Sequence, residues 1–302
     1  MEEQVNISGV RPPKGFGKVW YIIYPMLIYF GMSFVVNCIV FIPIAISLAQ
    51  ANPFTGGNIL EYSTELSTKI REAAAGQMLL ISIITGFLSI GVMLPLFIRD
   101  IKKRGLYEKK PAKTGVLPYI FMALTVAGYS LFFLSLINLT SLHQIFSSML
   151  TNDQMVSGQN PLLVFLLLSV ITPIMEEFFF RGLIFKRLRG MMSFVPAAII
   201  ASIIFGIGHG SLPQIIYTFC LSLGLCYIYE KYGSILVTMF THFVLNAIVF
   251  ISNYTLTPVL SEKTSLIIIF IVSGVVFIGG LIPLLLSLKK MPPLLHKMPS
   301  DI

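Results

Sequence analysis

Long apolar runs alternate with short polar segments along the whole 302-residue chain. A helix of about 20 apolar residues crosses the hydrocarbon core of a bilayer, so each run of that length is a candidate span. Such runs lie at 19–49, 78–98, 116–139, 161–180, 234–252 and 266–288, with two shorter runs at 194–209 and 213–229. The pattern predicts an all-α, polytopic transmembrane bundle of about eight helices.

The composition supports this class of protein. Hydrophobic residues make up 56% of the chain and charged residues 11%, whereas soluble domains average roughly 25% charged residues. The mean hydropathy is +0.86. The net charge of +8 comes from Lys and Arg in short segments between apolar runs, which is typical of membrane topology and not of nucleic-acid binding. We therefore expect membrane lipids, and no nucleic acid, as partners.

Positive charge also predicts the orientation, because Lys and Arg concentrate in short cytoplasmic loops. Seven Lys or Arg residues lie in 99–115, and the segment after the fourth span carries Arg181, Lys186, Arg187 and Arg189. If both segments are cytoplasmic loops, alternation places both termini in the cytoplasm. The predicted location is the cell membrane as a multi-pass protein, which is the inner or plasma membrane in a bacterium.

The spans divide the chain into five regions. We expect a cytoplasmic tail at 1–18, three helices with one external and one basic cytoplasmic loop at 19–139, a core at 161–252, a final helix at 266–288 and a cytoplasmic tail at 289–302. In the external loop, 50–77 is predicted as a solvated connector, with an amphipathic helix as the alternative. The three cysteines lie in apolar segments and imply no disulfide framework.

Ionisable side chains are rare inside the apolar runs and lie mainly in the second half of the chain. A charge in the hydrocarbon region costs at least ~2.5 to 3.5 kcal/mol, so such residues usually line a cavity and carry function. The fourth span ends with two adjacent acids and an arginine, the fifth with a histidine, and the seventh contains a histidine and an asparagine. These residues are Glu176, Glu177, Arg181, His209, His242 and Asn246.

The spacing predicts how these side chains meet. Glu177 and Arg181 are four residues apart, so they can pair on one helix face, whereas Glu176 points about 100° away and stays free. The same four-residue spacing puts two further pairs on common faces: His242 with Asn246, and Phe205 with His209.

A free carboxylate, two imidazoles and an amide could hydrolyse a peptide bond. Glu176 could take a proton from water while one imidazole positions that water. The other imidazole and the Asn246 amide could stabilise the oxyanion, at ~2.7 to 4 kcal/mol per donor. The same carboxylate and imidazoles could instead hold zinc with an open water position. The residue types leave both chemistries open. Each residue alone also has a structural interpretation, and it is their joint occurrence in otherwise apolar spans that favours a site.

Three motifs, in order, resemble those of one known family. EExxxR is present at Glu176, Glu177 and Arg181; FxxxH at Phe205 and His209; HxxxN at His242 and Asn246. Over about 161–252 the chain resembles the CPBP (Abi) intramembrane proteases, which include CAAX prenyl endopeptidases of the Rce1 type and bacterial bacteriocin-processing or immunity proteins.

The resemblance implies a role for each matching residue. Glu176 would be the general base, helped by His209 in activating water, and His242 with Asn246 would stabilise the oxyanion. It implies a site within the membrane that opens to the cytosol. No cofactor or metal ligand is expected, and zinc held by Glu176, His209 and His242 is the alternative. The supporting residues of the site would be Glu177, Arg181 and Phe205.

The leading hypothesis is therefore an intramembrane endopeptidase, historically classed as a metalloprotease. Its substrate would be a membrane-associated peptide or protein, such as a lipidated protein, a bacteriocin precursor or a signalling precursor. The alternative is a non-enzymatic immunity or scaffold protein that binds a peptide such as a bacteriocin. A transporter or proton relay is the third hypothesis, and the scarcity of charged residues in the other spans counts against it.

The predicted topology leaves Glu176 and His209 at different depths. Glu176 lies near the inner end of the fourth span, whereas His209 is about 20 Å from the inner start of the fifth. We expect the fourth helix to run on to about Phe185 and the fifth to begin deeper and tilt. Glycines beside His209 would permit a close backbone approach or a helix break: Gly206, Gly208 and Gly210.

Overall fold

The computed structural model describes residues 16–104, 115–140, 159–209, 212–255 and 262–291, and within these ranges it shows helices and no strand. The helices are α1 (Phe16–Ala51), α2 (Ile59–Arg104), α3 (Leu117–Leu139), α4 (Pro161–Arg189), α5 (Phe194–Ile207), α6 (Leu212–Tyr232), α7 (Ile235–Thr255) and α8 (Lys263–Lys289). Each predicted span corresponds to one of them. Most of the predicted tails at 1–18 and 289–302, and most of the loop at 99–115, lie outside the described residues, and 16–18 belong to α1.

Seven of these helices are long and apolar enough to cross a membrane, as judged by length and composition within the described ranges. The exception is α5, whose 14 residues span only about 21 Å. Large apolar side chains stay exposed along the helices, above all on α1, whose most apolar stretch buries none of its residues. Such a surface is stable only when lipid covers it. The protein is a multi-pass membrane protein, and its orientation remains a prediction.

The first part of α2 differs from the prediction for 50–77. Residues 59–76 are helical and continuous with the span that follows, so the helical alternative for 50–77 is confirmed and the connector is wrong for that part. Asn52 fastens this extension to the end of α1, because its carbonyl accepts from Tyr62 Oη at 2.9 Å and its Oδ1 accepts from Lys69 Nζ at 3.0 Å.

The core is built around α4, which packs against α1, α2, α5, α6 and α7. The sequence explains where α4 begins, because the Asn160 side chain accepts from the Leu162 N–H and Pro161 occupies the first turn. The centre of the core is a cluster that includes Phe179, Leu183 and Phe205. Helices α3 and α8 pack beside it, where Gly128 and Gly280 let the two backbones come together.

The segment after the fourth span is not a loop, which corrects the topology argument. Helix α4 continues to Arg189, and its last basic side chains are buried. Arg187 Nε donates to Asp100 Oδ2 at 2.6 Å, and Arg189 makes two hydrogen bonds with Glu230 at 2.7 and 2.9 Å. These arginines bind α4 to α2 and α6 instead of facing water.

Candidate active site

Two π-helical segments shape the part of α4 that carries the acids. They cover Leu166–Ile171 and Phe178–Phe185, and the α-helical turn Thr172–Glu177 lies between them. Single π-turns inside α-helices occur often at functional sites. The expected extension of the fourth helix past Arg181 is confirmed, and it places both glutamates inside the bundle.

Pro173 leaves one carbonyl of the first π segment without a donor in the helix. In the π register the Thr172 N–H donates to the Leu167 carbonyl. The next donor in that register would be residue 173, but proline has no N–H. The Leu168 carbonyl therefore loses its partner within the helix, and Asn246 Nδ2 on α7 donates to it at 2.8 Å.

Glu177 and Arg181 form the predicted ion pair at the centre of the bundle. Arg181 Nη1 donates to Glu177 Oε1 at 2.9 Å, and both side chains are fully buried. The guanidinium also donates to Ser222 Oγ on α6 at 3.0 Å and lies 4.8 Å from the centre of the Phe205 ring on α5. One arginine thus connects α4, α5 and α6.

His242 lies between the two glutamates. Its Nδ1 is 2.9 Å from Glu177 Oε1, and its Nε2 is 3.6 Å from Glu176 Oε2. A carboxylate only accepts hydrogen bonds, so the hydrogen of this bond is on Nδ1 and Nε2 faces Glu176. The Glu176 side chain keeps 15% of its surface exposed, whereas Glu177 keeps none. The pair predicted from spacing, Glu177 with Arg181, is present, and Glu176 faces His242.

Phe205 and His209 complete the cluster from α5. The Phe205 ring lies 4.8 Å from the His209 ring and 6.1 Å from the His242 ring. His209 Nδ1 is 2.8 Å from the Phe205 carbonyl, so its Nε2 is the nitrogen available as an acceptor. Within the described residues no hydrogen bond or ion pair joins His209 to Glu176, so the structure pairs that acid with His242 instead.

The glycines beside His209 have different roles. A side chain at Gly206 would meet the Ile215 carbonyl of α6 at 2.9 Å, so this glycine permits a close helix approach. Gly208 ends α5, and Gly210 lies outside the described residues. His209 therefore lies directly after Gly208, the residue that ends α5.

The donor set of the zinc alternative is not gathered at one point in the described part of this structure. Among the described side chains, no three His, Cys, Asp or Glu residues converge as a metal ion requires. No step of the chemistry below uses a metal.

Sequence reasoning missed two residues near the site. Tyr29 of α1 stacks on Phe179 with 4.8 Å between ring centres and lies within electrostatic range of Glu176. Asp100 of α2 holds Arg187. Tyr29 lies in an apolar run and Asp100 lies in a segment rich in Lys and Arg, so neither residue belongs to a motif that would single it out.

Comparison with known proteins agrees with the motifs. Residues 158–248 match the family described as type II CAAX prenyl endopeptidase Rce1-like. The "Putative membrane peptidase YdiL" of Bacillus subtilis (strain 168) is 33% identical over 89 residues, which cover 30% of this chain and 36% of that protein. This chain thus spans about a third of the relative that it matches. No solved structure matches the chain. The segment that brings Glu176, His209 and His242 into the bundle is therefore similar to the Rce1-like endopeptidases, as its three motifs predicted.

Proposed function

We propose that this protein is an intramembrane endopeptidase in which Glu176 is the general base. The observation that supports this most strongly is the contrast between the adjacent acids. Glu177 is buried and paired with Arg181, whereas Glu176 is partly exposed and faces an imidazole whose other nitrogen is fixed. A carboxylate in this position can take a proton from a water molecule at the edge of the site.

We propose the following reaction from the positions of Glu176 and His209. Glu176 takes a proton from water, and the resulting hydroxide forms a bond to the carbonyl carbon of the substrate. The tetrahedral intermediate then breaks its C–N bond, and Glu176 returns the proton to the leaving nitrogen. His209 supports the first step, because its Nδ1 is bonded to Phe205 and its Nε2 can accept a hydrogen from the attacking water.

Asn246 and His242 are the groups that we assign to the oxyanion. Asn246 Nδ2 has two N–H groups, one of which goes to the Leu168 carbonyl, and the second is the donor for the intermediate. His242 donates from Nε2 when both ring nitrogens carry protons. Glu177 and Arg181 are positioning residues, because they hold His242 and the three helices around it.

A Glu176→Gln variant tests the proposal. Glutamine has nearly the same shape but cannot take the proton, so peptide bonds cut by the wild type should stay intact. The measurement compares new protein and peptide termini in membranes of the native host, or a close relative, that express either form at matched levels. Glu72→Gln, a charge removal at an exposed position on α2, is the control and should behave as the wild type does.

The outcomes separate the candidate functions. Termini that require Glu176 establish a peptidase and identify its substrate. Identical termini with wild type and Glu176→Gln, both folded and equally abundant, contradict the proposal and favour the immunity or scaffold protein that binds a peptide without cutting it. Repeating the wild-type measurement with a zinc chelator tests the metal alternative, and cleavage should persist.

A further inference from the structure

A cavity of 270 Å³ lies between α1, α2 and the part of α4 that precedes Glu176. Its volume equals that of about nine water molecules in the liquid. Thr172 and Met175 of α4 contribute to its wall, and Tyr29, which lies within electrostatic range of Glu176, contributes from α1. The Leu168 residue that Asn246 contacts also lines it. The cavity therefore adjoins the proposed catalytic residues.

The lining of this cavity is neutral but not purely apolar. It combines apolar and thioether side chains with neutral polar ones, and it contains no Lys, Arg, Asp, Glu or His. Four polar side chains reach it from α1 and α2: Tyr29, Asn37, Ser82 and Thr85. Within the described part of the chain, Thr85 Oγ1 is buried and has no hydrogen-bond partner. A buried hydroxyl without a partner costs free energy, which a ligand that bonds to it would recover.

A second cavity lies between α1 and α2, away from the polar contacts at the two ends of α1. The polar contacts that fasten α1 are at its two ends, with Asn52 at one end and Tyr24 and the Tyr21 carbonyl at the other. Between them this second cavity, of 320 Å³, lies along α1 against Ile70 of α2. Asn37 lines both cavities, so they are neighbours along the same helix.

We infer that this cavity binds an unwound, uncharged segment of a membrane-embedded peptide, which enters from the lipid between α1 and α2. This inference rests on the proposed function and names the substrate class for that site. A peptide bond must leave its helix before it can be cut, and its N–H and C=O groups then need partners that lipid does not supply. Neutral hydroxyl and amide groups among apolar walls meet that need. A charged terminus would find no counter-ion in the lining, and a plain acyl chain would use none of its polar groups.

Photo-crosslinking in liposomes tests the inference with defined peptides. The first probe is a synthetic Leu/Ala transmembrane peptide with a central Gly-Pro helix break and a photoreactive leucine beside it. The second lacks the break, and the third carries a central Lys. Each is crosslinked to the full chain with Glu176→Gln, so that cutting does not remove the probe, and the attached residues are mapped by mass spectrometry. We expect the first probe to label α1 and α2 at the cavity, at least about fivefold more than the other two.

Two cavity variants and one control sharpen the test. Ser82→Leu fills the cavity and should lower labelling by the first probe about tenfold. Thr85→Val keeps the shape and removes only the unpartnered hydroxyl, so it should lower labelling by about fivefold even if Ser82→Leu does not fold. Ser47→Leu is the matched control, since Ser47 lies exposed on α1, and it should have no effect.

Equal labelling by all three probes, or labelling that Thr85→Val leaves unchanged, overturns the inference. The measurement does not depend on turnover, so it fails separately from the proposed function. Cavity labelling without Glu176-dependent termini indicates a peptide-binding protein that does not cut. Glu176-dependent termini without cavity labelling indicate a peptidase whose substrate enters elsewhere.

Discussion

At the scale of single residues, buried charges decide what the site can be. Arg181 is fully buried with a carboxylate, a hydroxyl and an aromatic ring around it. A buried pair adds little net stability, but removing one partner leaves an uncompensated charge, which is costly. This asymmetry gives a prediction for the Glu177–Arg181 pair.

We expect Arg181→Leu to lower the free energy of unfolding by about 3 to 5 kcal/mol, because it leaves the buried Glu177 carboxylate without the arginine that balances its charge. Adding Glu177→Gln should restore part of that loss, since the second change removes the stranded charge. Unfolding of the purified protein in detergent measures both variants. Arg71→Leu, at an exposed position on α2, should change stability by no more than about 0.5 kcal/mol. A double variant no more stable than Arg181→Leu would contradict this account.

For the adjacent acids Glu176 and Glu177, the sequence spacing predicts which one pairs with Arg181. The four-residue spacing from Glu177 to Arg181, and the 100° step to Glu176, were enough to predict which acid is paired. Spacing within one helix says nothing about other helices. The packing of α7 against α4 places His242 between the two acids. The packing of α5 leaves Glu176 and His209 without a hydrogen bond or ion pair among the described residues.

At the scale of elements, the π segment of α4 connects a sequence feature to the site. Pro173 removes a donor, the Leu168 carbonyl is left without a helical partner, and Asn246 supplies the missing hydrogen bond. Asn246 therefore has a structural contact in addition to the role proposed for it in the reaction, and the two can be separated by measuring stability.

We expect Asn246→Ala to lower the free energy of unfolding by about 1 to 3 kcal/mol, because the partly buried Leu168 carbonyl loses its donor. The loss should be smaller when Pro173→Ala is also present, since alanine returns an N–H to that turn of the helix. A double-mutant cycle in detergent measures the coupling. Asn138, which donates to the Leu134 carbonyl within α3, is the control, and Asn138→Ala should be additive with Pro173→Ala. Additivity of Asn246→Ala with Pro173→Ala would contradict the capping role.

At the scale of the whole molecule, buried ion pairs join helices at one end of the bundle. Arg187 contacts Asp100 of α2, and it also donates to the Tyr21 carbonyl and Tyr24 hydroxyl of α1. Arg189 instead joins α4 to Glu230 of α6. The first arginine thus fastens α1, which forms one wall of the cavity.

We expect Asp100→Asn and Glu230→Gln each to lower the free energy of unfolding by about 3 to 5 kcal/mol, because each removes the carboxylate charge that pairs with a buried arginine. Only Asp100→Asn should also loosen α1. The measurement is the labelling rate of Cys38, in the middle of α1, by a membrane-permeant maleimide, with the labelled peptide identified by mass spectrometry. We expect faster labelling for Asp100→Asn and an unchanged rate for Glu230→Gln. Equal rates in the two variants would contradict a specific role of Arg187 in holding α1.

The sequence by itself determined the class of the protein, the approximate position of each apolar span and the pairing of Glu177 with Arg181. Apolar length is a local property, and so is the spacing of Glu177 and Arg181. Only the tertiary structure decided that Arg187 and Arg189 are buried instead of lying in a cytoplasmic loop, that His242 bridges the two acids, and that α1 brings Tyr29 to the cavity. The physical reason is that a buried charge is stable only beside a partner, and these partners come from helices far apart in the chain.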